Sequence, residues 1–350
     1  MSYDWFVDFE VQNQSAIDNC VEGRDPFDNV NIYSRTKLLA TCLSNGNIKN
    51  YAKSGDKIKE PKGYKKIILK KYNSLIQEEI GRLEALNLYK PSVEISTLPP
   101  YSFFLQFAFT LATPYISKDD EEFYICDSPI KKDKVFKVPM VSGSTWKGNM
   151  RWTARQRKKL NPDKSDDDKV LIRLFGNEKK EERAFCRGKL SFYPTFFDKI
   201  SLEVINPHDR KTKAGTVPIY IESVPDGAKG TFSLLYVPFD LLGKPSEKVK
   251  QQLTEDINLV CDSLEEMMLT YGFSAKKSCG FGIINKDIEG DVPEMSGCTH
   301  KEKPLASKLT RGKTYTSFKE LASPKQKVSS FSEMRALIEQ KKEEAMKNAR

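Results

Sequence analysis

The order of apolar patterns in the second half of the chain constrains the fold more than any other feature. Four short strand-like runs, KLSFYPTFF, ISLEVI, VPIYIESV and TFSLLYVPF, occupy most of residues 189–239 and are separated by Pro, Gly and Asp. Residues 247–271 then carry the strongest helical pattern, with apolar side chains three and four residues apart on one stripe. This order predicts a fold that contains both helices and strands.

The same alternation extends to both sides of this region. The segment YSFFLQFAFTLATPY, residues 101–115, predicts a buried strand, and a helix is predicted to begin after Ser142. The run IINKDI, residues 283–288, is a candidate last strand. Strand, helix, several strands, helix and strand together predict the α+β class, with an RRM- or ferredoxin-like core enlarged by insertions.

Both ends of the chain are predicted to be extensions of this core. Residues 1–95 form an accessory region with a Gly/Lys-rich linker at 53–63 and a helix from Tyr64 to about Leu86. Residues 96–290 form the core. Residues 291–350 contain a lysine-rich connection, and a capping box of Ser330 and Glu333 predicts a final helix to about Lys347.

Composition limits the class of protein. The 57 basic and 48 acidic residues give a formal charge of +9, which permits a polyanionic partner. Seven cysteines without a CxxC pair argue against a disulfide framework and a zinc site. The acidic, aromatic start MSYDWFVDFE and the lack of long apolar runs predict a cytoplasmic protein with no membrane span. Only two histidines occur, which disfavours catalysis by a histidine pair.

The segment VSGSTWKGNMRWTARQRKK is a candidate anion site. Ser142, Gly143 and Ser144 suit a tight turn and a helix N-cap, where backbone N–H groups face an anion. The basic residues that follow at a spacing of four form a stripe that can run along phosphates. Those residues are Lys147, Arg151, Arg155 and Lys159. The alternative is a solvated basic face on a core helix.

Asp127 lies just ahead of this segment, in CDSPIKKD. Asp-Ser-Pro commonly opens a turn, so one interpretation is an aspartate that caps its own loop. The acidic run of residues 119–122 is a second candidate for binding a divalent cation, although such runs are usually solvated.

Two further segments carry clustered basic residues. INPHDRKTKAGT contains His208, Arg210 and Lys211 and suits nucleic acid better than a catalytic triad, because no convincing nucleophile accompanies it. SAKKSCGFG contains Lys276, Lys277, Ser278 and Gly280. This turn either brings backbone close to a phosphate chain or simply closes a helix–strand connection.

In order, these segments resemble the RAMP superfamily of CRISPR-associated proteins, and most of all the backbone subunits of type III effector complexes. The resemblance rests on DSPIKKD, VPMVSGSTWKGNMR, INPHDRKTKAGTVPIYIESVPDGA and SAKKSCGFG, and it covers about residues 100–290. The sequence departs from the family at Trp146, Val141 and Ser142, and the long N-terminal region is not typical of the repeated backbone subunit.

The resemblance implies an RRM-like core that holds guide RNA, in a prokaryotic complex with other RAMP and large subunits. The turn Ser142–Thr145 matches the family's guide-backbone contacts, as do Lys147 and Arg151. Arg210 matches the arginine of a D-R-x-T segment, and the residues after it match a thumb hairpin, placed here at about 206–222. The glycine-rich turn matches a second RNA-facing loop.

Asp127 matches the acidic residue that supports metal-dependent cleavage of paired target RNA in the catalytic subunits. The resemblance therefore implies an endoribonuclease that uses Asp127 and a weakly held Mg²⁺ or other divalent cation, with Asp127 as a candidate metal ligand. Two alternatives stay open. The chain is either a structural RAMP subunit that binds guide RNA without cutting, or an endoribonuclease that processes repeat RNA.

Overall fold

The computed structural model describes residues 11–54, 60–119, 123–160, 168–177, 186–206, 219–291, 294–296 and 327–348. Among these residues, five α-helices precede the first strand. They are α1 Gln14–Glu22, α2 Ile32–Leu39, α3 Gly46–Lys53, α4 Gly63–Lys70 and α5 Tyr72–Ala85. The sequence pattern predicts only one helix here, from Tyr64 to about Leu86. That helix is in fact two, because the chain leaves helical geometry at Lys71 (φ −125°).

The three helices that the sequence analysis missed share a start signal. Each is preceded by an asparagine whose side chain accepts a hydrogen bond from a backbone N–H of the first turn. These asparagines are Asn13, Asn31 and Asn45. Because α3 runs to Lys53, the predicted linker begins later than expected, and residues 55–59 lie outside the described residues.

The main sheet contains six of the ten strands in the described part of the chain. All its pairs are antiparallel, in the order β10-β8-β1-β7-β3, with β9 also paired to β1. Two smaller antiparallel pairs are β2–β4 and β5–β6. The strands are β1 Phe103–Thr110, β2 Met140–Val141, β3 Leu190–Phe192, β4 Thr195–Phe196, β5 Ser201–Ile205, β6 Ile219–Ser223, β7 Lys229–Tyr236, β8 Glu289–Asp291, β9 Glu294–Met295 and β10 Lys327–Val328.

Helices cover one face of this sheet. They are α6 Gly143–Arg157, α7 Lys169–Phe175, α8 Ser246–Glu266 and α9 Phe331–Asn348. On β1, alternate residues from Phe103 to Phe109 are buried, as expected for a strand with one face in the core. Phe107 contacts Phe331 of α9, and Phe109 contacts Trp146 of α6. The predicted combination of helices and strands is therefore confirmed.

Two strand predictions need correction. The run KLSFYPTFF is interrupted at Tyr193–Pro194 and gives β3 and β4, which pair in different sheets. Proline lacks the N–H that a continuous ladder would need. The candidate strand at 283–288 is wrong: Ile284 makes only an isolated bridge to Leu111, and the strand begins at Glu289.

Buried apolar residues form one core cluster that extends from Ile17 in α1 to Ile338 in α9. The N-terminal helices therefore pack into the same core as the sheet. The final helix begins as predicted, with the backbone N–H of Glu333 donating to the Ser330 hydroxyl at 3.3 Å. Within the described residues, every helix lacks the combination of length and apolar character that a bilayer crossing requires.

Candidate functional site

Helix α6 begins as the sequence predicts, with Ser142 as its N-cap. Ser142 has extended backbone angles (φ −72°, ψ 154°), and its Oγ accepts a hydrogen bond from the backbone N–H of Thr145 at 3.2 Å. The same oxygen lies 2.9 Å from the hydroxyls of both Ser144 and Thr145. Three hydroxyls and the first turn of the helix therefore meet at this end, an arrangement suited to an anion.

Close packing fixes α6 against the sheet. A Cβ on Gly143 would lie 2.4 Å from the carbonyl oxygen of Phe192 in β3, so only glycine allows this approach. One turn later, the buried Trp146 donates from Nε1 to Thr195 Oγ1 at 3.0 Å. These contacts hold the opposite, solvent-facing side of the helix in a defined position.

The basic residues Lys147, Arg151 and Arg155 lie one turn apart along α6, beside its most exposed side, and all three are partly buried. Burial, followed by the neighbouring Arg151, lowers the pKa of Lys147. Arg151 also donates from Nη1 to the carbonyl oxygen of Gly176 at 3.3 Å. Lys159 does not extend the stripe as predicted, because α6 ends at Arg157 and Lys159 has left-handed geometry (φ 52°).

In the glycine-rich turn after α8, packing requires glycine at some positions, whereas other positions are exposed. Gly272 (φ 74°) and Gly282 (φ 76°) are required by packing, since a Cβ on either would come within 2.6 Å of a neighbouring atom. Gly280 (φ 79°) instead faces open space. The interpretation in which this turn closes a helix–strand connection therefore explains Gly272 and Gly282. Residues 276–280, which lie between them, are largely exposed.

Lys277 brings this turn onto α6. Its Nζ lies 3.8 Å from the centroid of the Trp152 ring and 3.2 Å from Asn149 Oδ1, and burial lowers its pKa. The structure therefore joins two segments that are more than 100 residues apart. We call the combined surface the basic face: Ser142–Thr145, Lys147, Arg151, Arg155 and residues 276–280.

Asp127 lies elsewhere, on a loop against the N-terminal helices. Its side chain is 65% exposed, and Lys53 at the end of α3 donates from Nζ to both carboxylate oxygens, at 3.0 and 3.1 Å. The adjacent Cys126 is buried, which raises the pKa of its thiol to about 12, so this cysteine is not a reactive thiolate.

The backbone around Asp127 is held by the buried carboxylate of Glu222 in β6. The backbone N–H of Glu222 donates to the Ser128 carbonyl at 3.1 Å, and its Oε2 accepts from the backbone N–H of Ile130 at 2.9 Å. The ammonium of the buried Lys132 also pairs with Oε2. The loop that carries Asp127 is thus fixed on the side away from solvent.

Three tyrosines enclose this buried ion pair. Tyr64 of α4 and Tyr124 donate their hydroxyls to Glu222 Oε1, and burial together with Glu222 raises the pKa of both phenols well above the usual range. The Lys132 ammonium lies 5.8 Å from the centroid of the Tyr72 ring in α5. Two of the three enclosing rings therefore come from the N-terminal helices.

A short segment after β1 connects the loop of Asp127 with the glycine-rich turn. Tyr115 forms an isolated bridge with Val224, just after β6, and Ile116 exchanges hydrogen bonds with Ser274. The Ser117 hydroxyl accepts a hydrogen bond from the backbone N–H of Lys131 at 2.9 Å. Both candidate regions are therefore attached to the same piece of backbone.

Three predicted RNA-binding residues, His208, Arg210 and Lys211, lie outside the described residues. The strands on either side, β5 and β6, pair antiparallel as far as Ile205 and Ile219, and Glu222 of the predicted thumb range is buried in β6. Within the described part of the chain, no three His, Cys, Asp or Glu side chains group to hold a metal ion.

Three of these relationships are not predicted by the sequence: Lys53 with Asp127, Glu222 with Lys132, and Lys277 with Trp152. Each joins residues far apart in the chain, and none lies in a periodic pattern that could have indicated it. The sequence shows that Lys132 and Asp127 lie close together along the chain, but it does not show that Lys132 is buried.

The central part of this chain resembles known proteins. Residues 116–285 match the model of the RAMP superfamily. The "CRISPR system Cms endoribonuclease Csm3" of Streptococcus thermophilus is 29% identical over 164 residues, covering 45% of this chain and 73% of that protein. The protein of the same name from Enterococcus italicus is 30% identical over 125 residues, covering 31% of this chain and 58% of that protein.

Solved structures give a weaker likeness. A chain of the Type III-B Cmr-beta, determined by cryo-EM with cognate target RNA, superposes with a TM-score of 0.45 at 18% identity. The superposition covers 78% of this chain and 98% of that chain.

Proposed function

Residues 116–285 of this chain belong to the RAMP superfamily, and on this premise we propose that the protein is a guide-RNA-binding subunit of a type III CRISPR effector complex that cleaves complementary target RNA with Asp127. The observation that carries the proposal is the placement of Asp127: an exposed carboxylate on a loop fixed from behind by a buried one. The relatives named as endoribonucleases support the same activity. Their bacterial origin supports a cytoplasmic location, which stays a prediction.

The proposed core is RRM-like. In support, the chain runs from β1 through α6 to β3, then through β7 and α8 to β8, and these four strands lie in the antiparallel order β8-β1-β7-β3. Two helices thus connect strands across one sheet, as in a split βαβ arrangement. The hairpin β5–β6 would carry the proposed thumb.

The basic face is the proposed contact for the guide backbone. Its helix start offers backbone N–H groups, and Lys147, Arg151 and Lys277 supply positive charge along one side. Contacts of this kind hold RNA without reading its sequence, which suits a subunit that must accept any guide. Other subunits of the complex and the target strand are the remaining proposed partners.

Cleavage would occur on the target strand beside Asp127. The 2′-hydroxyl attacks the adjacent phosphorus, the P–O5′ bond breaks, and the products are a 2′,3′-cyclic phosphate and a 5′-hydroxyl. Asp127 accepts the proton of the 2′-hydroxyl, and the departing 5′-oxygen takes one from solvent water. The reaction needs the attacking oxygen in line with the leaving one, and a thumb that splays the nucleotide would supply this geometry.

A divalent cation remains part of the proposal. Mg²⁺ is commonly held by one or two carboxylates together with phosphates and water, and a single carboxylate at Asp127 fits this kind of site better than an all-protein cage. Asp127 would hold the ion, which would neutralise charge on the phosphate.

The test is cleavage by the reconstituted guide complex with complementary RNA and Mg²⁺. We expect wild type to cut at a defined position and Asp127→Ala and Asp127→Asn to lose that cut, while guide and target RNA remain bound. Asp226→Asn, at an exposed aspartate in the turn after β6, is the matched control and should cleave normally.

Each alternative function predicts a different result in this cleavage assay. Unchanged cleavage by both Asp127 variants would show that the catalytic assignment of Asp127 is wrong. No cleavage by wild type would leave a structural RAMP subunit. Cleavage of free repeat RNA without a guide would instead identify a processing enzyme.

A further inference from the structure

Lys53 is the residue of the N-terminal helices that reaches Asp127. Its ammonium contacts both carboxylate oxygens, and its side chain is 26% exposed, against 65% for Asp127. An ammonium has three N–H donors, of which this contact uses two. The pair therefore faces solvent with a carboxylate and a cation side by side.

Stability does not explain this arrangement. Ion pairs at exposed positions contribute little to stability, because solvent screens them and both side chains must be ordered. If the pair itself does little to hold the two segments together, its geometry must be set by the surrounding scaffold.

The scaffold positions Lys53 through the contact between α3 and α4. A Cβ on Gly63, which has φ +51°, would lie 2.1 Å from the carbonyl oxygen of Ala52 and 2.5 Å from that of Tyr51. The start of α4 therefore presses directly against the last turn of α3. Only glycine allows this approach, and Lys53 is the final residue of α3.

The same scaffold positions Asp127. Tyr64, next to Gly63, donates to the buried carboxylate of Glu222, which in turn holds the backbone at Ser128 and Ile130. Lys53 and Asp127 are thus attached, from opposite sides, to one buried network. A chance surface contact would not need such a common attachment.

A second lysine from the same helices lies near this loop. Lys65 of α4 places its Nζ 5.1 Å from the ring centroid of Tyr220, and the Tyr220 carbonyl accepts a hydrogen bond from Cys126, the neighbour of Asp127. A second cation of the N-terminal helices therefore lies beside β6, the strand that contacts this loop. This suits the phosphates of a strand laid across Asp127.

We infer that Lys53 is a substrate-contacting residue of the cleavage site, whose ammonium binds a non-bridging oxygen of the scissile phosphate beside Asp127. This inference rests on the proposed function. Negative charge grows on those oxygens as the 2′-oxygen attacks, so a fixed cation stabilises the transition state more than the bound RNA. The N-terminal helices then complete the site rather than only covering the core.

The experiment compares Lys53→Met, which keeps the apolar stem, and Lys53→Arg, which keeps the charge, in the reconstituted guide complex. Single-turnover cleavage by Lys53→Met should fall by about 10²–10³-fold, as for loss of one preorganised donor. Lys53→Arg should retain more activity than Lys53→Met. Lys49→Met, at an exposed lysine one turn earlier on α3, is the matched control and should cleave like wild type.

A second readout separates contact from mere support of the fold. Target RNA is made with sulfur in place of each non-bridging oxygen of the scissile phosphate in turn. Wild type should cleave one of the two diastereomers more slowly, and Lys53→Met should lose that discrimination. The melting temperature and the target-RNA Kd should change far less than the rate.

The outcomes distinguish this inference from the proposed function. If Asp127→Asn loses cleavage but Lys53→Met cleaves as fast as wild type, or faster, Lys53 is not part of the site. Sulfur effects that are unchanged at both diastereomers in Lys53→Met lead to the same conclusion. If Asp127→Asn itself cleaves normally, the proposed function fails, whatever the Lys53 variants do.

Discussion

The carboxylate of Glu222 accepts a hydrogen bond from the backbone N–H of Ile130 at 2.9 Å, three residues beyond Asp127. Glu222 is fully buried, and so is its partner Lys132, apart from 5% of its surface. The exposed candidate catalytic residue is therefore positioned by a carboxylate that never meets solvent. Several expected effects of substitution depend on this separation.

Replacing Glu222 with Ala should destabilise the protein by about 3–5 kcal/mol, because the Lys132 ammonium would stay buried without its counter-charge. Denaturant unfolding monitored by fluorescence measures the change. Glu84→Ala, at an exposed glutamate of α5, should stay within about 0.5 kcal/mol of wild type. An equally small effect at Glu222 would show that the network does not support the loop.

Two glycines of α6 should respond oppositely to alanine. At Gly143 the added Cβ would meet the Phe192 carbonyl at 2.4 Å, and the resulting strain should cost about 1–3 kcal/mol. At Gly148 the Cβ would meet nothing within 4 Å, so alanine should stabilise the helix by about 0.5–1 kcal/mol. Thermal unfolding of both variants compares them directly, and the same sign at both positions would contradict the packing of α6 on β3.

Replacing Lys147 with Gln should weaken guide-RNA binding in a salt-dependent manner. Removal of one phosphate contact lowers the slope of log affinity against log salt by about one, largely independent of RNA sequence. Binding titrations at several salt concentrations measure this slope. Lys250→Gln, on the exposed side of α8, should leave it unchanged. If both variants keep the wild-type slope, Lys147 does not contact the RNA backbone.

Glu22 should make stability depend on pH at the acidic end. Hydrogen bonds from Lys66 and Lys71 lower the pKa of its carboxyl from 4.5 to about 2. A lowered pKa stabilises the folded state fully above pH 4.5, and this contribution is lost as the pH falls through the folded value. The stability difference between wild type and Glu22→Gln should therefore shrink from pH 4.5 towards pH 2. A difference that stays constant over this range would argue against these ion pairs.

The sequence predicted best where one local rule decides the structure. The N-cap at Ser142, the helix that follows it, the strand within 101–115 and the capping box at Ser330 all depend on neighbouring residues. It predicted less well where tertiary contacts intervene. Lys71 divides a helix whose apolar spacing is continuous, and Lys159 falls beyond the end of a stripe whose spacing is regular.

The candidate site shows the same division. The basic face could be predicted in part because Lys147, Arg151 and Arg155 repeat along one helix, whereas the addition of Lys277 depends on how the turn after α8 folds back. The partner of Asp127 could not be predicted. Lys53 precedes it by 74 residues and lies at the end of a helix that packs closely against Gly63.

Tyr64 and Tyr72 are buried against the Glu222–Lys132 ion pair, and this contact links the unfolding of the N-terminal helices to that of the sheet. Residues 1–95 look separable when the sequence is read in order, yet part of the lining of the ion pair belongs to them. A truncated protein that begins near residue 96 would lack these two rings. The Glu222–Lys132 ion pair and the apolar residues around it would then be exposed to water. The N-terminal helices and the sheet should consequently melt in a single cooperative transition, with no stable half-molecule between the folded and unfolded forms.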